Sequence, residues 1–490
     1  MIQFTIKSNE FSYDMRALAQ SFFPEKTCQV MQQEGWQNKR TYPLRCEMDD
    51  RLILDTELPE GYTKDSVKRL VYQKFCEISG RELLWGILTG IRPAKIPLRM
   101  MMAEGRMFFE SDSAKQEICE RVKRCLVTDY LVDERKAKLA VDVARKEHEL
   151  IHGFDHRAGY NIYIGIPFCP SICQYCSFSS YDIARFENQV DDYLIALQKE
   201  MEVVGRHYAN RELHTIYVGG GTPTAINESQ LERLMESIHR FLPVEKAAEF
   251  TVEAGRPDSI TEEKLRILKR AGVTRISVNP QTMKQHTLAL LGRKHTVEQI
   301  RNCFYQAREI GFDNINMDLI VGLPEETEED FYETLRQVDE MSPDSVTVHT
   351  LVIKRASRMR REQMEEMEKG GELLSEDLLI PKLQNAAEDF LRERGYQPYY
   401  MYRQKNKAGT TRNTNQENVA YARPGKECLY NIFIMEELET ILALGSGGST
   451  KVVYPDENRM ERIENVKSVH DYITRIDEMI ARKQNGGLLE

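Results

Sequence analysis

Between residues 160 and 355 the chain alternates between β-rich apolar runs and helical periodicities, and few folds accommodate that alternation. The runs are Ile162–Ile166, Thr215–Val218, Glu249–Val252, Arg275–Val278, Ile315–Val321 and Ser345–Leu351. Small polar residues precede Glu or Gln by three positions ahead of several helical stretches: Asn227 and Gln230, Ser259 and Glu262, Thr296 and Gln299. This is the capping-box pattern or a close variant of it. Six strands with helical crossovers predict a parallel sheet of right-handed βα units. Six are too few to close an eight-stranded barrel but enough for a curved, open one. The expected fold class is therefore α/β, a partial (β/α)6 barrel, with its site at the carboxyl ends of the strands.

A chain of 490 residues is too long for a single core. We expect three regions: an N-terminal α/β domain (1–155), the barrel core (156–360) and a C-terminal α+β region (361–490). The first carries β-like patches at Ile2–Ile6 and Arg51–Leu54, an amphipathic helix at Asp133–Leu150 and no catalytic motif. The last carries an amphipathic helix near Asp377–Arg394, a Gly/Asn/Tyr-rich segment at 395–431 and Leu-Gly-Ser-Gly-Gly-Ser at 444–449. No apolar run approaches the roughly 18 residues of a membrane-spanning helix. The first residues are too polar for a secretory signal, so a cytoplasmic protein is expected. A net charge of −10 argues against a nucleic-acid partner held by phosphate neutralisation.

Ten cysteines do not form a disulfide framework in a chain this long. Cys28, Cys46, Cys76, Cys119, Cys125, Cys303 and Cys428 are scattered; the other three fall within Cys169-Pro-Ser-Ile-Cys173-Gln-Tyr-Cys176, entered from Tyr163-Ile-Gly-Ile-Pro-Phe168. Such a cluster reads as a metal site. A structural zinc site needs a second Cys/His pair at a characteristic distance. The next cysteine is Cys303, and His152, His156, His207 and His214 show no convincing paired spacing with it. Three thiolates suffice for three corners of a four-iron, four-sulfur cube, leaving one iron open for chemistry.

Gly219-Gly-Gly-Thr-Pro-Thr224 ends the second strand. It lacks the Gly-Lys-Ser/Thr ending of a phosphate loop and the spacing of a dinucleotide fingerprint. Its glycines suit either a tight turn or close approach of a ligand to the backbone. Glu253 ends the third strand, Gln281 follows the fourth, Arg293 lies twelve residues on, and Asp318 sits in the fifth. Each alone reads as an ordinary solvated or paired side chain. Together they place four polar groups at one end of a parallel sheet, a set suited to a ligand with an amino group, a carboxylate and a ribose. Asp318 is costly to bury unless it accepts hydrogen bonds.

The Cys-x3-Cys-x2-Cys spacing resembles that of the radical S-adenosylmethionine (SAM) enzymes. The longer resemblance is to the oxygen-independent coproporphyrinogen III oxidase/dehydrogenase family. It rests on Tyr163-x-x-Ile-Pro-Phe-Cys169, Gly-Gly-Gly-Thr-Pro-Thr224, Leu291-Gly-Arg-Lys-His-Thr296, Asp318-Leu-Ile-Val-Gly-Leu-Pro324 and Gly425-Lys-Glu-Cys-Leu-Tyr-Asn431, spanning roughly 160–450. The N-terminal Trp85-Gly-Ile-Leu-Thr-Gly-Ile-Arg-Pro93 resembles the longer HemZ subgroup. The resemblance implies a radical SAM barrel in which Cys169, Cys173 and Cys176 hold a [4Fe-4S] cluster whose open iron is chelated by SAM. It implies that Tyr175 packs on the adenine. Gly219, Gly220 and Gly221, with Thr222 in the same motif, and Glu253 would lie near the methionyl group. Arg293 would meet its carboxylate, Gln281 and Asp318 the ribose, and Tyr163 would stand beside the cofactor as the candidate catalytic residue. The implied reaction is one-electron cleavage of SAM, hydrogen abstraction from a propionate of coproporphyrinogen III, and loss of carbon dioxide and an electron to leave a vinyl group. Two rounds give protoporphyrinogen IX, with a flavodoxin- or ferredoxin-type electron donor.

The sequence departs from the dehydrogenase pattern twice. Phe178 stands where the dehydrogenases carry a fourth cysteine and where the haem-chaperone branch also has Phe; Gly165 stands where they carry a histidine. A haem-binding chaperone-like protein, and a radical SAM methyltransferase or haem-processing enzyme, are therefore alternatives on the same fold. For a tetracarboxylate substrate, Lys354-Arg-Ala-Ser-Arg-Met-Arg-Arg361 and His349 are candidate contacts, against a solvated basic face and a structural histidine.

Overall fold

The structure, a computed structural model, describes residues 1–6, 11–32, 41–176, 180–351, 376–403, 417–457 and 459–485. It divides into two compact units, Met1–Glu149 with Met401–Asn418, and Leu150–Tyr400 with Val419–Glu490.

The first unit is built on a four-stranded sheet: β1 (Ile2–Ile6), β2 (Cys28–Gln32), β3 (Tyr42–Met48) and β4 (Arg51–Leu58), in the order β2-β1-β3-β4. β1 and β2 are parallel and the other pairs antiparallel. Alternate residues of β1 (Ile2, Phe4 and Ile6) are buried against α1 (Ser12–Phe22) and α2 (Lys64–Ser79), through Met15, Leu18, Phe22, Val71 and Phe75. A reciprocal Thr63–Ser66 capping box starts α2, and left-handed Gly80 ends it. Three further helices follow, α3 (Lys95–Ala103), α4 (Asp112–Thr128) and α5 (Glu134–Ile151).

The Trp85–Pro93 motif grips residues from far along the chain. Trp85 Nε1 donates to Glu417 Oε1 at 2.6 Å, and Lys136 Nζ meets the other carboxylate oxygen at 2.8 Å. Arg403 donates from its backbone to Ile91 O at 2.8 Å and from its guanidinium to Leu88 O. Gly86 lies so close to Tyr130 that a Cβ there would fall 2.2 Å from its carbonyl oxygen.

The second unit contains the predicted βα alternation. β5 (Gly159–Ile166) leads into the short pair β6 (Phe168–Cys169) and β7 (Tyr181–Asp182). Then come α6 (Val190–His207), β8 (Glu212–Gly220), α7 (Glu228–Phe241), β9 (Glu249–Gly255), α8 (Glu262–Arg270), β10 (Arg275–Val278), α9 (Gln285–Leu290), α10 (Val297–Ile310), β11 (Ile315–Val321), α11 (Glu328–Met341) and β12 (Ser345–Thr350). The six long strands pair in parallel in the order β5-β8-β9-β10-β11-β12. Asn227 and Thr296 form the expected capping boxes with Gln230 and Gln299. Ser259 does not cap α8: Thr261 accepts from Lys264 N, while the Ser259 hydroxyl is drawn to Thr224 and to Arg256 O.

The sheet continues on both sides, to eleven strands. β13 (Gln397–Arg403), β14 (Glu417–Ala422), β15 (Thr440–Leu444), β16 (Ser449–Tyr454) and β17 (Arg459–Glu464) complete the order β13-β14-β12-β11-β10-β9-β8-β5-β15-β16-β17. β15 runs parallel to β5, so the first barrel strand is interior rather than an edge. Lys483 and Glu200 form a fully buried ion pair at 2.5 Å behind this junction. Glu200 also accepts from Tyr472 OH, Asn465 Nδ2 and Gly445 N. No helix among the described residues is long and apolar enough to cross a membrane.

Candidate functional site

Strands of a buried parallel sheet carry near-continuous apolar runs. Against that background the exceptions stand out. Tyr163 in β5, Glu253 in β9, Asp318 in β11 and His349 in β12 are each the single residue of their strand that is not fully buried. Tyr217 holds the corresponding place in the interior of β8 and is the direct partner of Tyr163. These side chains form one layer near the carboxyl ends of the strands.

The Tyr163 and Tyr217 rings stack at 6.2 Å, and Tyr430 stacks on Tyr217 at 4.4 Å with an interplanar angle of 23°. Tyr430 is held there by Glu249, whose carboxylate accepts from the backbone of Leu429 at 2.6 Å and of Tyr430 at 3.3 Å, and from Cys428 Sγ at 3.3 Å. A carboxylate at a helix start is favoured by the unpaired N–H groups and the dipole there. The Gly425–Asn431 motif is thus anchored on β9.

Tyr217 OH donates to Glu253 Oε1. Burial raises the Glu253 pKa and the Asp318 charge adds to it, against the Tyr217 bond and a bond from Gly220 N–H. Asp318 behaves oppositely. Burial opposes its ionisation, but His349, Asn316 and Thr347 outweigh it and hold its pKa below the ordinary value. Asn316 Nδ2 donates to Asp318 Oδ1 at 2.7 Å, and His349 Nε2 lies 3.7 Å from the same oxygen. One carboxyl is biased toward the proton and the other toward the anion, a separation that equips them for different roles.

The cysteine loop leaves β5 beside this layer. Cys169 is buried, whereas Cys173 and Cys176 are partly exposed and joined by a backbone bond of 3.1 Å. Gln174 N donates to Leu291 O at 3.1 Å, and Ser171 Oγ to Gly292 O at 3.4 Å, strapping the loop to the Leu291–Thr296 motif. From the other side Gly221 N donates to Ile166 O and Thr222 N to Phe168 O, both at 2.8 Å. The Thr222 hydroxyl donates to Cys169 Sγ at 3.5 Å.

The three glycines make this contact possible. A Cβ at Gly219 would fall 2.8 Å from Glu253 Oε2, one at Gly220 3.0 Å from the Tyr163 hydroxyl, and one at Gly221 2.6 Å from Phe168 O. Gly220 is also left-handed, with φ +108°. The motif lets the second strand's loop lie directly on the cysteine loop.

Gln281 is buried with φ +69°, uncommon for a residue with a side chain. Its N–H donates to Asp318 O at 2.9 Å and its carbonyl accepts from Ile320 N at 3.0 Å, so it extends the pairing with β11 past the end of β10. Arg293 is buried, with Nη1 donating to Asn279 O at 2.5 Å and Pro280 O at 3.3 Å, while its Nε has no partner among the described residues. Tyr175 and Cys173 are its electrostatic neighbours. Tyr175 packs against Leu291, Ile320 and Leu323, an apolar shelf beside the loop.

The donor set suits a cluster held by three cysteines. Burial pushes the Cys169 thiol up to about 11, and the neighbouring Cys176 and Cys173 add to it, so a metal must displace protons to bind. Hydrogen-bond donors, from Thr222 and Arg256, approach these sulfurs. Among the described residues no three His, Cys, Asp or Glu side chains are arranged to hold a single metal ion.

The structure therefore brings Tyr163, Gly219, Gly220 and Glu253 together, joins Thr222 to Cys169 and Tyr175 to Arg293, and ties Gln281 to Asp318. Sequence reasoning missed Tyr217, Asn316 and Tyr430, which complete the layer, and Arg256, whose Nη1 lies 3.7 Å from Cys173 Sγ. Tyr217 carried a signal, the Tyr-x-Gly that Tyr163-Ile-Gly165 and Tyr217-Val-Gly219 share, and Tyr430 lay within the Gly425–Asn431 motif; Asn316 and Arg256 carried none locally. Phe178 and the Lys354–Arg361 stretch lie outside the described residues.

Residues 163–338 match the Radical SAM superfamily model. The Bacillus subtilis oxygen-independent coproporphyrinogen-III oxidase-like protein HemZ is 38% identical over 397 residues, covering 80% of this chain and 75% of that protein. The Bacillus subtilis heme chaperone HemW is 42% identical over 192 residues, 39% of this chain and half of its own length. Among solved structures, Escherichia coli coproporphyrinogen III oxidase (HemN), described as a radical SAM enzyme, superposes with a TM-score of 0.53 at 26% identity, over 66% of this chain and 72% of that one. This chain belongs to the HemN/HemZ-like family of radical SAM proteins.

Proposed function

We propose that the chain is a radical SAM oxidoreductase that oxidatively decarboxylates propionate side chains of a tetrapyrrole, with coproporphyrinogen III as the leading substrate and a flavodoxin- or ferredoxin-type protein as electron donor. The observation that carries this reading is the single polar layer of Tyr163, Tyr217, Glu253, Asp318 and His349 beside a loop presenting three thiols. In this reading Cys169, Cys173 and Cys176 hold a [4Fe-4S] cluster, which with SAM supplies hydrogen abstraction from an unactivated carbon.

The protein's own groups bind, orient and exclude water. Glu253 and the Gly219–Gly221 backbone receive the methionyl end of SAM, and Arg293 its carboxylate. Asp318, kept anionic, accepts from the ribose hydroxyls with Gln281 beside it. Tyr175 and the Leu291, Ile320 and Leu323 shelf take the adenine. Tyr163, Tyr217 and Tyr430 wall the layer with aromatic surface and keep it dry.

The test is an anaerobic assay of reconstituted protein with coproporphyrinogen III, SAM and a strong reductant. A vinyl porphyrinogen should form together with 5′-deoxyadenosine above the substrate-free rate. If 5′-deoxyadenosine stays at background and no vinyl product appears, the reading is wrong.

A second reading, a haem-binding chaperone-like protein, is favoured by the sequence. Phe178 stands where the haem-chaperone branch also has Phe, and the stretch shared with the heme chaperone HemW is 42% identical over 192 residues. Stoichiometric haem binding without decarboxylation would select it.

A further inference from the structure

Arg256 follows β9 in the turn before α8, and its side chain is 4% exposed. The guanidinium is fixed on three sides. Nη1 donates to Ser171 O at 2.8 Å and to Ser171 Oγ at 2.9 Å, and lies 3.7 Å from Cys173 Sγ. Nε and Nη2 form a two-pronged pair with Asp258 at 2.9 and 2.6 Å. Asp258 in turn lies 3.5 Å from Nδ1 of the fully buried His295. The turn holds the arginine in place, since its carbonyl accepts from Ser259 N at 2.9 Å and from Ser259 Oγ at 2.8 Å.

A buried, permanently charged donor aimed at one cysteine of a three-cysteine loop does more than fix the backbone. Reducing a cluster adds a negative charge, and hydrogen bonds and nearby charge at its sulfurs set how easily that happens. We propose that Arg256 is a positioning residue that clamps Ser171 and Cys173 and makes the cluster bound at this loop easier to reduce, with Asp258 offsetting part of its charge. The proposal rests on the assignment of Cys169, Cys173 and Cys176 as cluster ligands. A lysine would keep the charge but cannot make the two-pronged pair and the Ser171 contacts together.

The test compares the reconstituted parent with Arg256→Gln, Arg256→Lys and Asp258→Asn, by iron content per chain and by EPR-monitored midpoint potential without SAM or substrate. Arg256→Gln should make reduction about tenfold less favourable, a shift of about 59 mV to more negative values for one electron. Arg256→Lys should fall between it and the parent in potential and in iron retained. Asp258→Asn should shift the potential the other way, which a merely structural role would not do. Loss of iron in Arg256→Gln with retention in Arg256→Lys supports the clamp. Variants that load iron and keep the parent's potential overturn the proposal, as does a negative shift in Asp258→Asn. A parent that binds no cluster overturns the cysteine assignment as well, and so separates the two failures.

Discussion

Gly221→Ala is the sharpest test of how the glycine motif supports the cysteine loop. The new methyl would sit 2.6 Å from Phe168 O, 2.9 Å from Pro167 C and 3.0 Å from Ile166 O. All three are backbone atoms, so no side-chain rotation relieves the clash. The Ile166–Phe168 stretch must move, straining the bonds that Gly221 N and Thr222 N donate to it. Overpacking of this kind costs about 1–3 kcal/mol. The alanine recovers about 0.4–1 kcal/mol by restricting the unfolded chain. Because all three contacts are with backbone, the cost falls in the upper part of that range, about 2–3 kcal/mol, leaving a net loss of about 1–2.6 kcal/mol, concentrated where Thr222 meets Cys169. Gly153→Ala, with nothing within 4 Å of the added atom, is the control in the same unit and should be close to neutral. The assay is urea unfolding of the metal-free proteins by circular dichroism, paired with iron and sulfide per chain after anaerobic reconstitution. A Gly221→Ala protein within about 0.5 kcal/mol of the parent, retaining the parent's iron, would refute the reasoning.

Three further outcomes are expected. Lys483→Met leaves the Glu200 carboxylate buried without its cation and should cost about 3–5 kcal/mol in urea unfolding, while Glu200→Gln with Lys483→Met, which removes the charge but keeps an acceptor for Tyr472, Asn465 and Gly445, should recover part of it; equal losses in the single and double variants would contradict this. Trp85→Phe removes the donor to Glu417 Oε1 and should destabilise the first unit by about 1.5–3 kcal/mol, read as faster amide exchange in its strands, and unchanged exchange would count against a stabilising role for this bond. The third concerns pH. Burial opposes ionisation of Glu439, but His156 and His214 outweigh it and hold the pKa below 4.5, so its contribution is present above 4.5 and lost as pH falls through the lowered value. Burial likewise opposes the charge on His214, but Glu439 and Glu212 hold its pKa above 6.5, so its contribution is present below 6.5 and lost as pH rises through the raised value. The melting difference between the parent and Glu439→Gln should peak between these values and shrink on either side; a difference constant with pH would be the contrary result.

The six barrel strands were legible because buried parallel strands are written as short apolar runs between capped helices. Glu253 and Asp318 were legible for the same reason, as carboxylates interrupting such runs. What was hidden depends on distant partners. β15, Thr440–Leu444, holds only four consecutive apolar residues ahead of a glycine-rich segment, and nothing local says that it pairs with β5. Tyr430 reaches the layer only because Glu249 anchors its backbone from 181 positions away. Ser259, with Glu262 three residues on, fits the capping-box pattern and Thr261, with Lys264 there, does not, yet Thr261 is the cap because the Ser259 hydroxyl is taken up by Thr224 on another element. Arg256 lies in a turn that reads as a connection, and its purpose depends on where the cysteine loop folds back.

The make-up of the first unit has a consequence for the order of synthesis. Its complement of residues ends with Met401–Asn418, made about 270 residues after Glu149. At a translation rate of about 5–20 residues per second, the emerging unit waits from roughly ten seconds to a minute for its last strand of chain. During that interval Lys136 and the Trp85 indole lack Glu417, the acceptor they share. A region made ahead of the barrel core is thus finished only after that core has been made. A fragment ending at residue 149 should remain loosely packed, and supplying 401–418 as a separate peptide should tighten it, as judged by slowed amide exchange in β1 and β3.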